Sequence, residues 1–197
     1  PLFLRDVAEM LDNVLQYFID NAPDAVSRAK YSATQERSIG IGALGYHAYL
    51  QKHMLPWESP EARSANVEIF RHIRKSLDEA NLELGKLRGE APDAIGTGRR
   101  FSHLMAIAPN ASSSIIMGNT SPSVEPYRAN AYRQDTLSGA YLNKNKFLDN
   151  IIKERCPDED DYNEAWSSII ANDGSVQHLG ILNDREMATF KTSMEID

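Results

Sequence analysis

The sequence predicts an α/β protein that is mostly helical and has only a few short strands. Apolar residues recur at steps of three and four in several long segments, which is the pattern of amphipathic helices. Short apolar or alternating runs that could form strands are few and scattered. The chain of 197 residues is 42% apolar and 25% charged, which is ordinary for a folded domain and sufficient to bury a core.

The first half of the chain carries the strongest helical patterns. A first helix ends before Pro23, and a second covers about residues 25–35. At Ser59-Pro60-Glu61 a cap residue, a proline at the first helical position and an acidic residue predict the start of a long helix that continues to Gly89. The apolar face of the first helix consists of Leu4, Val7, Leu11, Val14 and Phe18.

The second half alternates short strands, loops and helices. The run 101–108 predicts a short buried strand, and residues 38–43 predict another. A small-residue loop after Pro109 opens a short helix that ends at Gly118. A hairpin around Ser138-Gly139 is predicted over 129–143. Further helices are predicted over 145–154, 161–172 and 184 to the end.

Composition excludes several classes of function. The net charge is −7 and no segment concentrates Lys and Arg, so we expect no nucleic-acid partner. No apolar run approaches the roughly 20 residues that span a bilayer. The single cysteine, Cys156, and the lack of a secretory leader predict a cytoplasmic location. The five histidines lack the spacing of metal ligands, so we expect no metal site.

The two ends predict a chain cut from a longer polypeptide. Residue 1 is Pro, and an amphipathic pattern begins with the next residues. The last residues, FKTSMEID, stop within a helix-like run that has no cap. We therefore interpret residues 1–197 as a single segment of a larger domain, truncated at both ends.

The glycines of Ser38–Leu50, SIGIGALGYHAYL, match the dinucleotide-binding pattern GxGxxG. That fingerprint requires a strand before the first glycine and an acidic residue about 20 positions later, at the end of a second strand. Here the preceding segment, YSATQERS, is polar and helical in character. The next acidic residues, Glu58 and Glu61, stand where a helix begins. We therefore interpret the glycines as positions of close backbone packing.

The segment APNASSS, residues 108–114, is a better candidate for binding phosphate. A strand ends at a proline, and a small-residue loop then opens a helix whose first N–H groups attract anions. Three serine hydroxyls could donate to phosphate oxygens. A P-loop lysine is missing, which excludes that kind of nucleotide chemistry here. The alternative is an ordinary serine-capped helix, and spacing alone leaves it open.

Five blocks in a fixed order carry a family resemblance. They are ERSIGIGALGYHAYLQ (36–51), the long helix to residue 88, RRFSHLMAIAPNASSS (99–114), SVEPYRANAYRQDTLSGAY (123–141) and FKTSMEID (190–197). Together they resemble the large catalytic subunit of class I ribonucleotide reductase, over nearly the whole chain. The resemblance implies a partial segment of that family's ten-stranded α/β barrel, from its C-terminal half.

The resemblance also implies an activity and a binding site. The parent enzyme reduces ribonucleoside diphosphates to deoxyribonucleoside diphosphates, the precursors for DNA replication, by a radical mechanism. Its radical is delivered by a separate, small, metal-containing subunit. By position, the family's substrate-phosphate loop falls on Pro109, Asn110, Ala111, Ser112 and Ser113, with Ser114 beside it. The glycine block falls on a barrel strand and its exit turn.

The family's chemistry needs a radical-bearing cysteine and a reducing cysteine pair, which this chain does not contain. Cys156, in the context Glu-Arg-Cys-Pro-Asp, matches neither. We therefore expect no catalytic residue and no cofactor in this chain, and an isolated chain that is inactive without the remaining segments of the large subunit. Self-association through severed apolar faces is left open. The alternatives are a non-catalytic helical interaction module and a nicotinamide-dependent dehydrogenase.

Overall fold

The structure is a computed structural model that describes residues 2–136 and 139–197. The chain forms two compact units. Residues 1–42 and 66–108 make the first unit, and residues 43–65 and 109–197 make the second.

The described residues are mostly helical, with one hairpin, which confirms the predicted fold class. The two strands, β1 (Ala131–Thr136) and β2 (Gly139–Lys144), are antiparallel, with Ala131 opposite Lys144 and Thr136 opposite Gly139. Ser138, in the predicted turn, lies outside the described residues. The helices are α1 (Leu2–Asn21), α2 (Ser27–Glu36), α3 (Tyr46–Lys52), α4 (Pro60–Arg88), α5 (Ala111–Ile116), α6 (Lys146–Arg155), α7 (Glu159–Ala171) and α8 (Asp184–Thr189).

The core of the first unit forms where one face of α1 and one face of α4 are buried. Both helices were predicted from their apolar spacing and are confirmed. The predicted apolar face of α1 is only partly buried, because Val14 and Phe18 are exposed. Burying that apolar area supplies most of the favourable free energy of such a unit. The buried apolar side chains are Ala8, Ile39, Ile41, Leu77, Ala80, Leu84, Phe101 and Leu104.

A buried carboxylate, Asp12 on α1, joins four parts of the first unit. Arg37 donates two hydrogen bonds to its Oδ1, at 3.1 and 2.6 Å. Arg88 donates to Oδ2 at 2.8 Å, and Nε of Arg100 lies 3.1 Å from both oxygens. Arg100 also donates to the carbonyl oxygens of Arg88 and Gly89, so it satisfies free carbonyl groups at the end of α4.

The charge state of Asp12 follows from these contacts. Burial acts to raise the pKa of Asp12, but the hydrogen bonds from Arg37 and Arg88 and the charge of Arg100 lower it below its ordinary value. The carboxylate therefore stays ionised at neutral pH, and its charge balances part of the arginine cluster around it.

The second unit has its own core, around α6, α7 and α8. Each of these helices begins with a side-chain cap: Asn145, Asp158 and Asn183 accept hydrogen bonds from the N–H groups of the following turn. Asp158 caps α7, and the acidic residues 159–161 lie in its first turn. The buried apolar residues include Leu148, Ile152, Trp166, Ile169, Val176, Leu179, Leu182 and Phe190.

Three predicted elements differ in the structure. Residues 38–43 and 101–108 were predicted as strands. They lie side by side and share backbone hydrogen bonds, but these form only one isolated parallel bridge, between Ile41 and Met105, and no strand. A strand needs a continuous ladder with a neighbour, and one bridge does not supply it. The last helix was predicted to reach the chain end, but α8 ends at Thr189. After it, Glu195 accepts the N–H of Thr192, which favours a turn over a further helical turn.

None of the described helices is both long enough and apolar enough to cross a membrane.

We predict that Asp12→Asn strongly destabilises the first unit. The substitution removes the charge that three arginines share in a buried setting, and such a loss costs about 3–5 kcal/mol. The free energy of unfolding in urea measures the effect. Asp78→Asn is the matched control, because Asp78 pairs with Arg74 on the exposed surface of α4 and should lose only about 0.5 kcal/mol. Equal losses in both variants would contradict the prediction.

Candidate functional site

The segment Pro109–Ser114 forms the entry to α5 and is largely open to solvent. Asn110, directly before the helix, has a φ of 53° in the left-handed region, and its side chain caps nothing. In the described part of the chain, no group accepts a hydrogen bond from the N–H of Ala111, Ser112 or Ser113. These three residues are exposed. The helix therefore presents three unpaired N–H donors at its positive end.

The three serines of this segment differ in their surroundings. Ser112 and Ser113 are exposed, and their hydroxyls have no partner among the described residues. Ser114 is buried, and its hydroxyl donates to the carbonyl of Ala111 at 2.8 Å. Its own N–H donates to the carbonyl of Asn110 at 2.9 Å. Ser114 thus closes the first turn of α5, while Ser112 and Ser113 are free to contact a ligand.

The segment after α5, Thr120–Ser123, lies along the start of α3. The N–H of Gly45 donates to the carbonyl of Ser121 at 2.9 Å, and the N–H of Ala48 donates to the Ser121 hydroxyl at 3.1 Å. Gly45 has a φ of 80°, and a Cβ there would lie 2.6 Å from the Thr120 hydroxyl. A glycine is therefore required where these two segments meet.

His47, on α3, is fully buried beside the same region. Its Nδ1 accepts the N–H of Tyr127 at 2.9 Å, and its ring packs edge-on against Trp57 at 5.3 Å. Burial lowers the pKa of His47 to about 4, against a smaller opposing effect of the Thr189 carbonyl. The imidazole is therefore neutral at pH 7, and the bond to Tyr127 assigns its proton to Nε2.

The glycine segment is a packing site, as the sequence predicted. A Cβ on Gly40 would lie 2.8 Å from the Ala106 Cβ, and a Cβ on Gly42 would lie 2.4 Å from the Ala106 carbonyl oxygen. The N–H groups of Ile39 and Ile41 donate to the carbonyls of His103 and Leu104 at 3.1 and 2.9 Å. The interpretation of these two glycines as positions of close backbone approach is confirmed.

Sequence reasoning placed the loop residues together but missed the residues that hold them. Pro109, Asn110, Ala111, Ser112, Ser113 and Ser114 do form one turn. The contacts of Ser121 and His47 with partners about 70 to 80 positions away carry no local signal in the sequence. In the ranges that the structure describes, no group of three or more His, Cys, Asp and Glu residues is placed to hold a metal ion.

Comparisons with known proteins agree on one kind of relative. The family model described as ribonucleotide reductase, barrel domain, matches residues 3–96 and 92–197. The chain is 59% identical, over 99% of its length, to 31% of a ribonucleoside-diphosphate reductase large subunit of Invertebrate iridescent virus 3. It is 56% identical, over 100% of its length, to 20% of the corresponding subunit of Invertebrate iridescent virus 6.

A solved structure matches as well. The class Id ribonucleotide reductase alpha subunit of Actinobacillus ureae superposes with a TM-score of 0.87 at 40% identity, over 98% of this chain and 35% of that one. The chain therefore spans between a fifth and about a third of the length of these relatives.

We predict that Gly42→Ala destabilises the chain by about 1–3 kcal/mol, because the new methyl group meets backbone atoms of Ala106 that cannot move independently. Urea unfolding measures the loss. Gly180→Ala is the matched control, since a Cβ at Gly180 meets nothing within 4 Å. Similar stability of the two variants would show that the close approach at Gly42 is not a constraint.

We also predict that His47 makes stability depend on pH between about 6.5 and 4. The folded-state pKa of about 4 lies below the ordinary value of 6.5, so the neutral ring stabilises the fold fully above pH 6.5. This contribution, up to about 3 kcal/mol, is lost as the pH falls towards 4. Unfolding curves measured across this range for the wild type and His47→Asn test it. Asn retains an acceptor for Tyr127 but does not titrate, so equal pH slopes would contradict the prediction.

Proposed function

Because the chain belongs to the ribonucleotide reductase family, as part of its barrel domain, we propose that it works within the large subunit of a ribonucleoside-diphosphate reductase and binds the substrate diphosphate there. The family match confirms the resemblance that the five sequence blocks predicted. The relatives are large subunits of this oxidoreductase, and the chain corresponds to one part of them.

The observation that carries the substrate-binding role is the set of unpaired N–H groups at Ala111, Ser112 and Ser113. Such groups, at the positive end of a helix, attract phosphate oxygens. The hydroxyls of Ser112 and Ser113 add two further donors that have no partner among residues 2–136 and 139–197. The absence of a side chain beyond Cβ at Ala111 lets a phosphate approach the backbone closely.

The other residues of the proposed loop shape the turn. Pro109 stands before the turn, and Asn110 takes the left-handed conformation that starts α5. Ser114 donates its hydroxyl to Ala111 and so holds the turn that presents the donors. In this proposal Pro109–Ser114 form the loop as a whole, with the direct hydroxyl contacts at Ser112 and Ser113.

The proposed contribution to catalysis is positioning. A diphosphate bound at the loop fixes where the ribose lies relative to reactive groups that other segments of the subunit supply. Holding reactants in a productive geometry contributes on the order of several kcal/mol to a rate. No catalytic residue or cofactor is assigned to this chain. The radical comes, in this proposal, from a separate, small, metal-containing subunit, and the complex acts in the cytoplasm.

One observation favours the alternative of a helical interaction module. Exposed apolar residues lie along α1 at helical spacing, and the exposed fraction of Phe3 is 76%. Such a stripe is typical of a surface that contacts another helix. It includes Phe3, Met10, Val14 and Tyr17. A surface of this kind requires no ligand at residues 109–114, so diphosphate binding separates the two functions.

We predict that a ribonucleoside diphosphate protects the amides of residues 110–114 from hydrogen exchange in the full-length subunit. CDP should slow their exchange, and cytidine, which lacks the phosphates, should not. Ser112→Asp should weaken CDP binding about tenfold or more, since it places a negative charge beside the phosphate. Dissociation constants from equilibrium dialysis measure this.

Ser64→Asp is the control variant for that experiment. It adds the same charge near the start of α4, where Ser64 is exposed, and should leave CDP affinity unchanged. Unprotected amides at 110–114, together with normal CDP binding by Ser112→Asp, would leave the loop without a role in substrate binding.

A further inference from the structure

We propose that Ser121 and Tyr132 are positioning residues for the diphosphate loop, which they hold through the exit turn of α5. The exit turn is defined as Asn119–Ser121. This inference rests on the proposed function and adds to it the residues that determine how well the loop binds. The observation behind it is that the exit turn is hydrogen-bonded on both sides while the loop itself is exposed.

On one side, Ser121 fastens the exit turn to the start of α3. Its side chain is fully buried, its hydroxyl accepts the N–H of Ala48 at 3.1 Å, and its carbonyl accepts the N–H of Gly45 at 2.9 Å. Both donors are N–H groups from the start of α3, which lack partners inside their own helix. Ser121 therefore satisfies two groups of α3 and fixes its own position in doing so.

On the other side, Tyr132 of β1 fastens Asn119. The Tyr132 hydroxyl donates to Asn119 Oδ1 at 2.6 Å. The carbonyl of Asn119 accepts a longer bond, at 3.4 Å, from the hydroxyl of Tyr127. Burial raises the pKa of Tyr127 to about 12, so this hydroxyl stays protonated even at pH values above 10. Asn119 has a φ of 54°, a conformation that such contacts help to maintain.

Between these two anchors, the exit turn contacts the loop directly. The N–H of Thr120 donates to the carbonyl of Ser114 at 3.0 Å, and Ser114 in turn donates its hydroxyl to Ala111. A continuous path of hydrogen bonds therefore runs from α3 and β1 to the turn that presents the unpaired N–H groups. If either anchor is released, α5 can populate conformations in which those groups no longer converge.

This arrangement affects affinity for the phosphates specifically. A binding site that is formed in only a fraction of molecules binds its ligand more weakly by that fraction. In the proposed function only the diphosphate contacts the loop, so the affinity for a nucleoside without phosphates should not depend on the exit turn. A purely structural role would instead lower stability and leave the ratio of diphosphate to nucleoside affinity unchanged.

The test uses the full-length subunit and measures dissociation constants for CDP and for cytidine. We expect Ser121→Ala and Tyr132→Phe each to weaken CDP binding about five- to twentyfold, as the loss of one hydrogen bond in a preformed site would, with less than about a twofold change for cytidine. In turnover, KM for CDP should rise by a similar factor while kcat at saturating CDP stays within about twofold.

Two matched variants serve as controls. Ser59→Ala removes a serine hydroxyl that accepts a helix-start N–H, from Ala62 at 3.1 Å, but at the beginning of α4. Tyr141→Phe removes a tyrosine hydroxyl from the neighbouring strand β2, where it has no partner in the described part of the chain. Both controls should bind CDP as the wild type does.

The outcomes separate this inference from the function on which it rests. If Ser112→Asp weakens CDP binding but Tyr132→Phe binds CDP like Tyr141→Phe, the positioning role is wrong and the loop function stands. If Ser112→Asp also binds CDP normally, the loop function fails and this inference fails with it. If Ser121→Ala does not fold, Tyr132→Phe alone tests the positioning role, because Tyr132 is partly exposed and its substitution should be tolerated.

Discussion

The first unit depends on a carboxylate that is buried among arginines. Desolvating Asp12 alone would be prohibitive, so the fold must bring Arg37, Arg88 and Arg100 to it, and each comes from a different part of the chain. The consequence reaches beyond charge. Arg100 can occupy its position only if α4 ends at Arg88 and Gly89, because it donates to both of their carbonyls. The ion cluster is therefore linked to the C-terminal end of α4, where Gly89 adopts the left-handed conformation typical of a helix end.

In the second unit, the main constraint is the ordering of the exposed loop Pro109–Ser114. An open ligand loop has few contacts of its own, so its conformation must be imposed by the residues around it. Here the exit turn Asn119–Ser121 accepts hydrogen bonds from N–H groups of α3 that would otherwise lack partners. It also accepts a hydrogen bond from the Tyr132 hydroxyl of β1. Gly45 makes this meeting sterically feasible, because any side chain there would collide with Thr120. The contacts that satisfy the first N–H groups of α3 are therefore the same contacts that hold the loop in its binding conformation.

Local patterns in the sequence predicted the helices, the hairpin and the packing role of the glycines, because spacing, caps and turn residues act over a few positions. They overestimated the strands at 38–43 and 101–108, since strand formation depends on neighbours that the pattern does not specify. In the site, the small residues at 110–114 mark an exposed helix start. Sequence patterns did not indicate the roles of Asp12 and its arginines, His47, Ser121 or Tyr132, because each of them acts through a partner distant in sequence. The 73-residue separation of Ala48 and Ser121 is an example.

A protein with a net charge of −7 can still bind a diphosphate, because binding is decided at short range. At physiological salt, charges more than about 8–10 Å away are largely screened, whereas N–H groups in direct contact with the phosphate are not. In the proposed site the donors are backbone amides and serine hydroxyls, which carry no net charge and hold oxygens at fixed positions. Such donors attract a distant phosphate less strongly than a lysine does, but they fix the position of a bound phosphate more closely. For a role that consists of placing a ribose beside a reactive centre, positional definition is the property that matters, which is why the anchoring of the loop bears directly on function.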